Sequence, residues 1–230
     1  MSRTFFLILA TLLTLPAYAQ LLIAPTRFVL DADRSITEKI VVENTSDKPI
    51  RLEIKPTYRP IALKEVNRLN ASVEQTENIA DWLQVSPPVI RELKPNQRRT
   101  IRLRFNALPQ DKEQGEYRAY LHFSPIALGE QATDAKQQSQ PSFQLDFRVN
   151  SYVPIYVQRG AVKDEVVYQC DNHALRVTNN GKYQFNALIN ADGQESKLVL
   201  LRESEMIKPL PGVKKVSLLQ DDKSLHECVF

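Results

Sequence analysis

Glycine is scarce in this sequence, at 6 of 230 residues, while proline reaches 14. That balance excludes a flexible low-complexity chain. No glycine-rich phosphate loop is present, and no Gly-x-Ser-x-Gly nucleophile elbow. The histidines His122, His173 and His226 fall in separate segments without ligand spacing, and no Cys-Cys-His cluster accompanies them. Carboxylates are numerous but scattered, so no acid–base pair stands out. These absences argue against an enzyme, and nothing asks for a cofactor or a metal. The net charge is only +3 with both signs interspersed, which does not point to nucleic acid. Arg98, Arg99, Arg102 and Arg104 do cluster, but Ile101, Leu103 and Phe105 alternate with them. The expectation is a strand with a solvated basic face.

Only the N-terminus carries a long apolar run. Arg3, the apolar stretch Phe5–Leu15 and Ala17-Tyr18-Ala19 have the form of a secretory signal peptide cut after Ala19. Residues 1–19 are therefore set aside, and the remainder is expected to be an exported soluble protein. Cysteine is limited to Cys170 and Cys228. An exported chain with an even count pairs them. The bridge would close a loop of about sixty residues, worth roughly 3–4 kcal/mol in the chain-entropy model.

What the chain does have is alternation. Phe143, Leu145, Phe147 and Val149 alternate with polar neighbours in one long stretch, Ser142–Val157, placing the apolar set on one strand face. That face either packs into the protein's own core or is lent to another protein. Similar short strands with turn signals between them recur before it: Leu21–Leu30 bent at Pro25, Ile36–Glu43, Ile50–Tyr58, Arg99–Phe105 and Tyr117–Phe123. Leu63–Asn78 is less regular and reads as a connection. After Gly160 the pattern continues on a smaller scale, through Val166–Cys170, Ala174–Thr178, Phe185–Asn190, Lys197–Arg202, Val213–Leu219 and Leu225–Val229. The fold expected is all-β, with two sandwiches over residues 20–158 and 159–230.

Three blocks then resemble a known family. They are Pro25-Thr26-Arg27-Phe28-Val29-Leu30 with Val42-Glu43-Asn44-Thr45-Ser46; Ser86-Pro87-Pro88-Val89 through Leu93-Lys94-Pro95-Asn96-Gln97; and Ala107-Leu108-Pro109 through Glu113, leading into Tyr117-Arg118-Ala119-Tyr120-Leu121. In this order and spacing they are similar to the PapD-like periplasmic chaperones of the chaperone–usher pilus pathway. The resemblance thins after Gly160, as in an outlying branch. It implies two immunoglobulin-like domains set at an angle, a periplasmic location and no enzymatic activity. It also implies pilin subunits and an outer-membrane usher as partners; self-association is one way the free protein could cover an exposed apolar row. Subunits would be held by strand lending, with Phe143, Leu145, Phe147 and Val149 on the donated strand. Arg27 matches the family's anchor for the subunit's terminal carboxylate. Glu113 matches an acid that holds the domains together, through Arg159. The family's second cleft base, a lysine, has no basic counterpart: matching Arg159 to the family's hinge arginine puts Ile155 there, and continuing the register from Phe143 puts Tyr152 there. Arg148 and Arg159 are the basic residues nearest along that stretch. A different class, a secreted adhesive or carbohydrate-binding sandwich, would show grouped loop aromatics, and few are present.

Overall fold

The computed structural model describes residues 20–60, 65–128 and 148–230. The signal-peptide stretch and Phe143, Leu145 and Phe147 lie outside these residues. The chain forms two all-β sandwiches, each around its own hydrophobic cluster.

The first sandwich contains β1 (Leu21–Ala24), β2 (Phe28–Asp31), β3 (Ile36–Asn44), β4 (Ile50–Thr57), β6 (Leu83–Ser86), β7 (Val89–Leu93), β8 (Arg98–Phe105), β9 (Gly115–Ala127) and β10 (Ser151–Arg159). One sheet runs β1-β3-β8-β6 and the other β2-β10-β9-β4-β7. Period-two alternation decides which side chains face inward. On β8, Ile101, Leu103 and Phe105 are buried, while Thr100, Arg102 and Arg104 face solvent. On β10, Val153, Ile155 and Val157 enter the core. Leu21–Leu30 is not one strand. It breaks at Pro25, so that β1 pairs antiparallel with β3 in one sheet and β2 pairs parallel with β10 in the other. The missing proline N–H suits a segment that leaves one ladder before entering the next.

The second sandwich contains β11 (Val166–Asp171), β12 (Ala174–Asn179), β13 (Phe185–Ala191), β14 (Gln194–Leu200), β15 (Ser204–Pro209), β16 (Lys215–Gln220) and β17 (Lys223–Val229). One of its sheets is completed from the other half of the chain. β5 (Val66–Arg68) pairs antiparallel with β15, giving the order β11-β12-β15-β5 opposite β14-β13-β16-β17. The irregular stretch expected as a connection therefore crosses the molecule, then turns into the short helix α1 (Val73–Glu77). β15 itself was not evident from alternation. Cys170 and Cys228 form a disulfide between β11 and β17, edge strands of the two facing sheets. Their Cα atoms are 6.3 Å apart, at a sequence separation of 58. His226 lies within 4.8 Å of both sulfurs, but the bridge already occupies both.

Each sandwich is organised at one strand end by a buried asparagine. Asn44 Nδ2 donates to the Lys48 and Leu93 carbonyls at 2.7 and 2.8 Å, and its Oδ1 accepts from the Ser46 N–H. Asn179 Nδ2 donates to the Tyr183 and Leu201 carbonyls at 2.8 and 2.9 Å, and its Oδ1 accepts from the Gly181 N–H. Asn44 is 0% exposed, and its side chain serves as a turn device.

Candidate functional site

The site begins with one half-covered strand edge. β10 pairs with β9 along its whole length, Ser151 to Arg159. On its other edge β2 covers only Ile155 to Gln158. The Ala32 N–H donates to the Gln158 carbonyl at 2.9 Å, so Gln158 directs its backbone groups to the β2 side. Backbone groups alternate sides along a strand, so Tyr156, Pro154 and Tyr152 point the same way. Beyond β2, that edge presents the Tyr152 N–H and C=O with no strand beside them among the described residues. Pro154 lacks an N–H on this same side, where a proline costs the β9 ladder nothing. Val149, just before β10, is 63% exposed. It shares the odd register of Phe143, Leu145 and Phe147 and of the inward residues of β10.

Two guanidinium groups stand over tyrosines of this strand. Arg27, just ahead of β2, has its guanidinium carbon 4.5 Å from the Tyr156 ring centroid. Arg59, just past β4, lies 4.5 Å from the Tyr152 ring centroid. Cations over aromatic faces keep their charge and gain a fixed direction. Tyr152 is packed further by His122, stacked at 4.6 Å, and by Tyr120, edge-on at 6.4 Å. Burial pushes the Tyr156 phenol above its ordinary value, with the charge of Arg27 opposing. Burial likewise pushes the Glu116 carboxyl up, against a 2.7 Å hydrogen bond from Gln158 Nε2 and the charge of Arg27.

Behind these side chains lies a buried ionic cluster. Glu77 Oε1 accepts from Arg118 Nη2, Arg68 Nη2 and the Tyr58 hydroxyl, each at 2.6 Å. Arg118 Nη1 donates to the Tyr120 hydroxyl at 2.7 Å. Arg118 and Glu77 are each 2% exposed in their side chains. Burial, then the hydrogen bond and charge of Glu77, push the Tyr58 phenol up, while Arg118 opposes. Arg68 Nη1 also donates to the Arg202 carbonyl at 2.8 Å, so the cluster reaches the second sandwich.

The junction between the sandwiches departs from the expected pairing. Glu113 does not join Arg159. Its carboxylate pairs with Lys182 and with Arg202 Nη2, the latter at 2.6 Å. Arg159 is buried and turns to Asp33 at 2.8 Å and to the carbonyls of Leu108, Pro109 and Lys112. The reason is register: Arg159 ends β10 opposite Gly115, facing back into the loop that carries Glu113. Gly115, at φ +149°, permits the close approach, since a Cβ there would sit 3.0 Å from Lys182 Cβ. Thus Arg159 holds the loop and cannot serve as a second cleft base. Ile155 cannot either, because it is 0% exposed in the core. Of the two aligned positions only Tyr152 reaches the site face, and the base beside it is Arg59. Sequence reasoning passed over Arg59, Arg118, Glu77 and Arg202. The partners of Arg59, Arg118 and Glu77 come from distant segments, and Arg202, which also pairs with the adjacent Glu203, meets Glu113 from across the chain.

Burial pushes the Glu113 carboxyl up, but the hydrogen bonds from Lys182 and Arg202 outweigh it and hold the group below its ordinary 4.5. A lowered carboxyl contributes stability above the unfolded value, and that contribution is lost as pH falls through the folded value. Unfolding midpoints in urea should therefore fall below about pH 4.5, and Glu113→Gln should flatten that slope. With Glu113 38% exposed, the effect should be modest and reduced by salt. An unchanged slope in the variant would remove Glu113 from the junction's energetics.

No protein-family model matches this chain, and no curated protein does. Solved structures match it over nearly its full length. The E. coli chaperone DraB aligns with a TM-score of 0.60 at 17% identity, covering 93% of this chain and 96% of that one. The SafB chaperone, solved with the SafA pilin of Salmonella enterica, aligns at 0.57 and 14% identity, covering 94% and 99%. The fold is that of the pilus chaperones. The periplasmic chaperone SfaE aligns at 0.54 with 9% identity, covering 91% and 98%. At such identities the chaperone fold is carried by strand alternation and turn placement, with most side chains changed.

Proposed function

We propose that this protein is a periplasmic chaperone that captures pilin subunits by lending them a strand and delivers them to an outer-membrane usher. The observation that carries this reading is the edge of β10 that β2 leaves uncovered among the described residues, with Val149 exposed just ahead of it; in the sequence the apolar alternation runs on upstream through Phe147, Leu145 and Phe143. An incomplete sandwich could add its last strand along that edge, with main-chain bonds giving affinity and the alternating apolar side chains entering its groove. SafB, solved with a pilin, supplies the analogy of fold.

The charges give the site a direction. A strand continuing the line of β2 along β10, in the same direction, would bring its C-terminus to Arg27. The opposite direction would bring an α-amino group against the same guanidinium, which is repulsive. We assign Arg27 as the carboxylate anchor and Arg59 as the second base, in place of the lysine of the family. Each charge-assisted hydrogen bond of this kind is worth roughly 1.5–3 kcal/mol.

Export with the partner present should yield a complex from periplasmic extracts, its subunit identified by mass. Arg27→Ala and Arg59→Ala should each fold normally and lower capture by about tenfold or more, following those bond energies. Full capture by both single variants and by the double variant would refute the anchor assignment.

A further inference from the structure

We infer that Pro154 fixes the register of the bound strand, so that the partner's C-terminal residue lies opposite Val153 and ends there. The inference rests on the strand-lending reading and adds where the partner must stop.

The parallel register Ile155↔Phe28, with the bond from the Ala32 N–H to the Gln158 carbonyl, sets the hydrogen-bond phase of this edge. In that phase the Pro154 carbonyl faces the Phe28 N–H and belongs to the β2 ladder. The next groups upstream without a strand beside them, among the described residues, are the Tyr152 C=O and N–H. In a parallel ladder, a partner residue opposite Val153 donates its N–H to the Tyr152 carbonyl. Its own carbonyl would normally accept from residue 154, where Pro154 has no N–H to give. A mid-chain carbonyl there would be left unsatisfied. One residue further, the partner would run into Arg27, which the register places beside Pro154. A terminal carboxylate meets neither difficulty, because its charge takes the Arg27 guanidinium in place of the missing amide. Two residues back, the partner's carbonyl accepts the Tyr152 N–H, which holds the same register.

The test uses mature protein and synthetic N-acetylated strands of about six alternating Val and Thr residues, a usual strand length. One strand ends as the free acid and one as the primary amide. On the wild-type protein the acid should bind and slow hydrogen exchange at the Tyr152 amide, and amidation should weaken binding about tenfold or more. Pro154→Ala restores an N–H, so the amidation penalty should shrink by about threefold to tenfold, the worth of one neutral bond. A second measurement needs no variant. Replacing the strand's last N–H by an ester oxygen should weaken binding by a similar factor, while an ester at the penultimate position, whose N–H points away, should not. An ester penalty at the penultimate position, or an amidation penalty unmoved in folded Pro154→Ala, overturns the register while bound strand and slowed Tyr152 exchange leave strand lending standing. No binding and no slowing at Tyr152 overturns both.

Discussion

A Glu77→Ala chain should lose about 3–5 kcal/mol, the usual cost of breaking a buried ion pair on one side. The carboxylate serves Arg118, Arg68 and Tyr58 at once, and its removal leaves the Arg118 guanidinium buried without its counter-charge. Because Arg68 ends β5, the loss should also loosen the crossing strand and lower the cooperativity of unfolding between the sandwiches. Denaturant unfolding followed separately by the Trp82 signal and by a second-sandwich probe would resolve this. A Glu77→Leu, Arg118→Met double variant should be more stable than Glu77→Ala, since it no longer strands the fully buried Arg118 guanidinium. Equal stability of wild type and Glu77→Ala would mean that water reaches the cluster.

The next largest effect is expected on capture, with folding unchanged. Val149 is 63% exposed, so Val149→Arg should shift the free protein's stability by about 0.5 kcal/mol or less. Leu145→Arg extends the same test upstream along the alternation. In a complex each charge would enter a hydrocarbon groove, at a cost of several kcal/mol, roughly a thousandfold in capture. Thermal stability measured beside yield of complex separates the cases. Unfolding of the isolated Leu145→Arg protein would mark that residue as part of the protein's own core. Normal capture by both folded variants would end the strand-lending reading.

The sequence made some of this structure legible and concealed the rest for definable reasons. Ile50, Leu52 and Ile54, like Ile101, Leu103 and Phe105, alternate cleanly because one face of their strand is buried and the other solvated. β15 escaped because Ser204-Glu205-Met206-Ile207-Lys208-Pro209 buries a serine and a methionine and carries no such contrast. β5 escaped because three residues cannot display a period. The motif singled out Arg27, which stands over Tyr156, but not Arg59, whose ring partner Tyr152 lies on a distant strand. Arg118 misled in an instructive way. It takes the solvent-facing register of β9 between Tyr117 and Ala119, so alternation predicts exposure. Glu77 of α1 and Tyr58 cover it instead, and long-range cover leaves no trace in local pattern.

The crossing of β5 bears on the order in which the molecule can fold. A chain that emerges N-terminus first can close its first core early, from β1 to β10. Val66–Arg68 must then wait for Ser204–Met206, which appears only after most of the second sandwich's strands. Such pairing between segments far apart in sequence is slow, since loop closure precedes any reward. In the interval Leu69, 45% exposed even when folded, and the partner-seeking edge of Val66–Arg68 stay uncovered. Maturation of the first sandwich is thereby tied to arrival of the second, and a chain truncated within β14 would be left permanently half-finished.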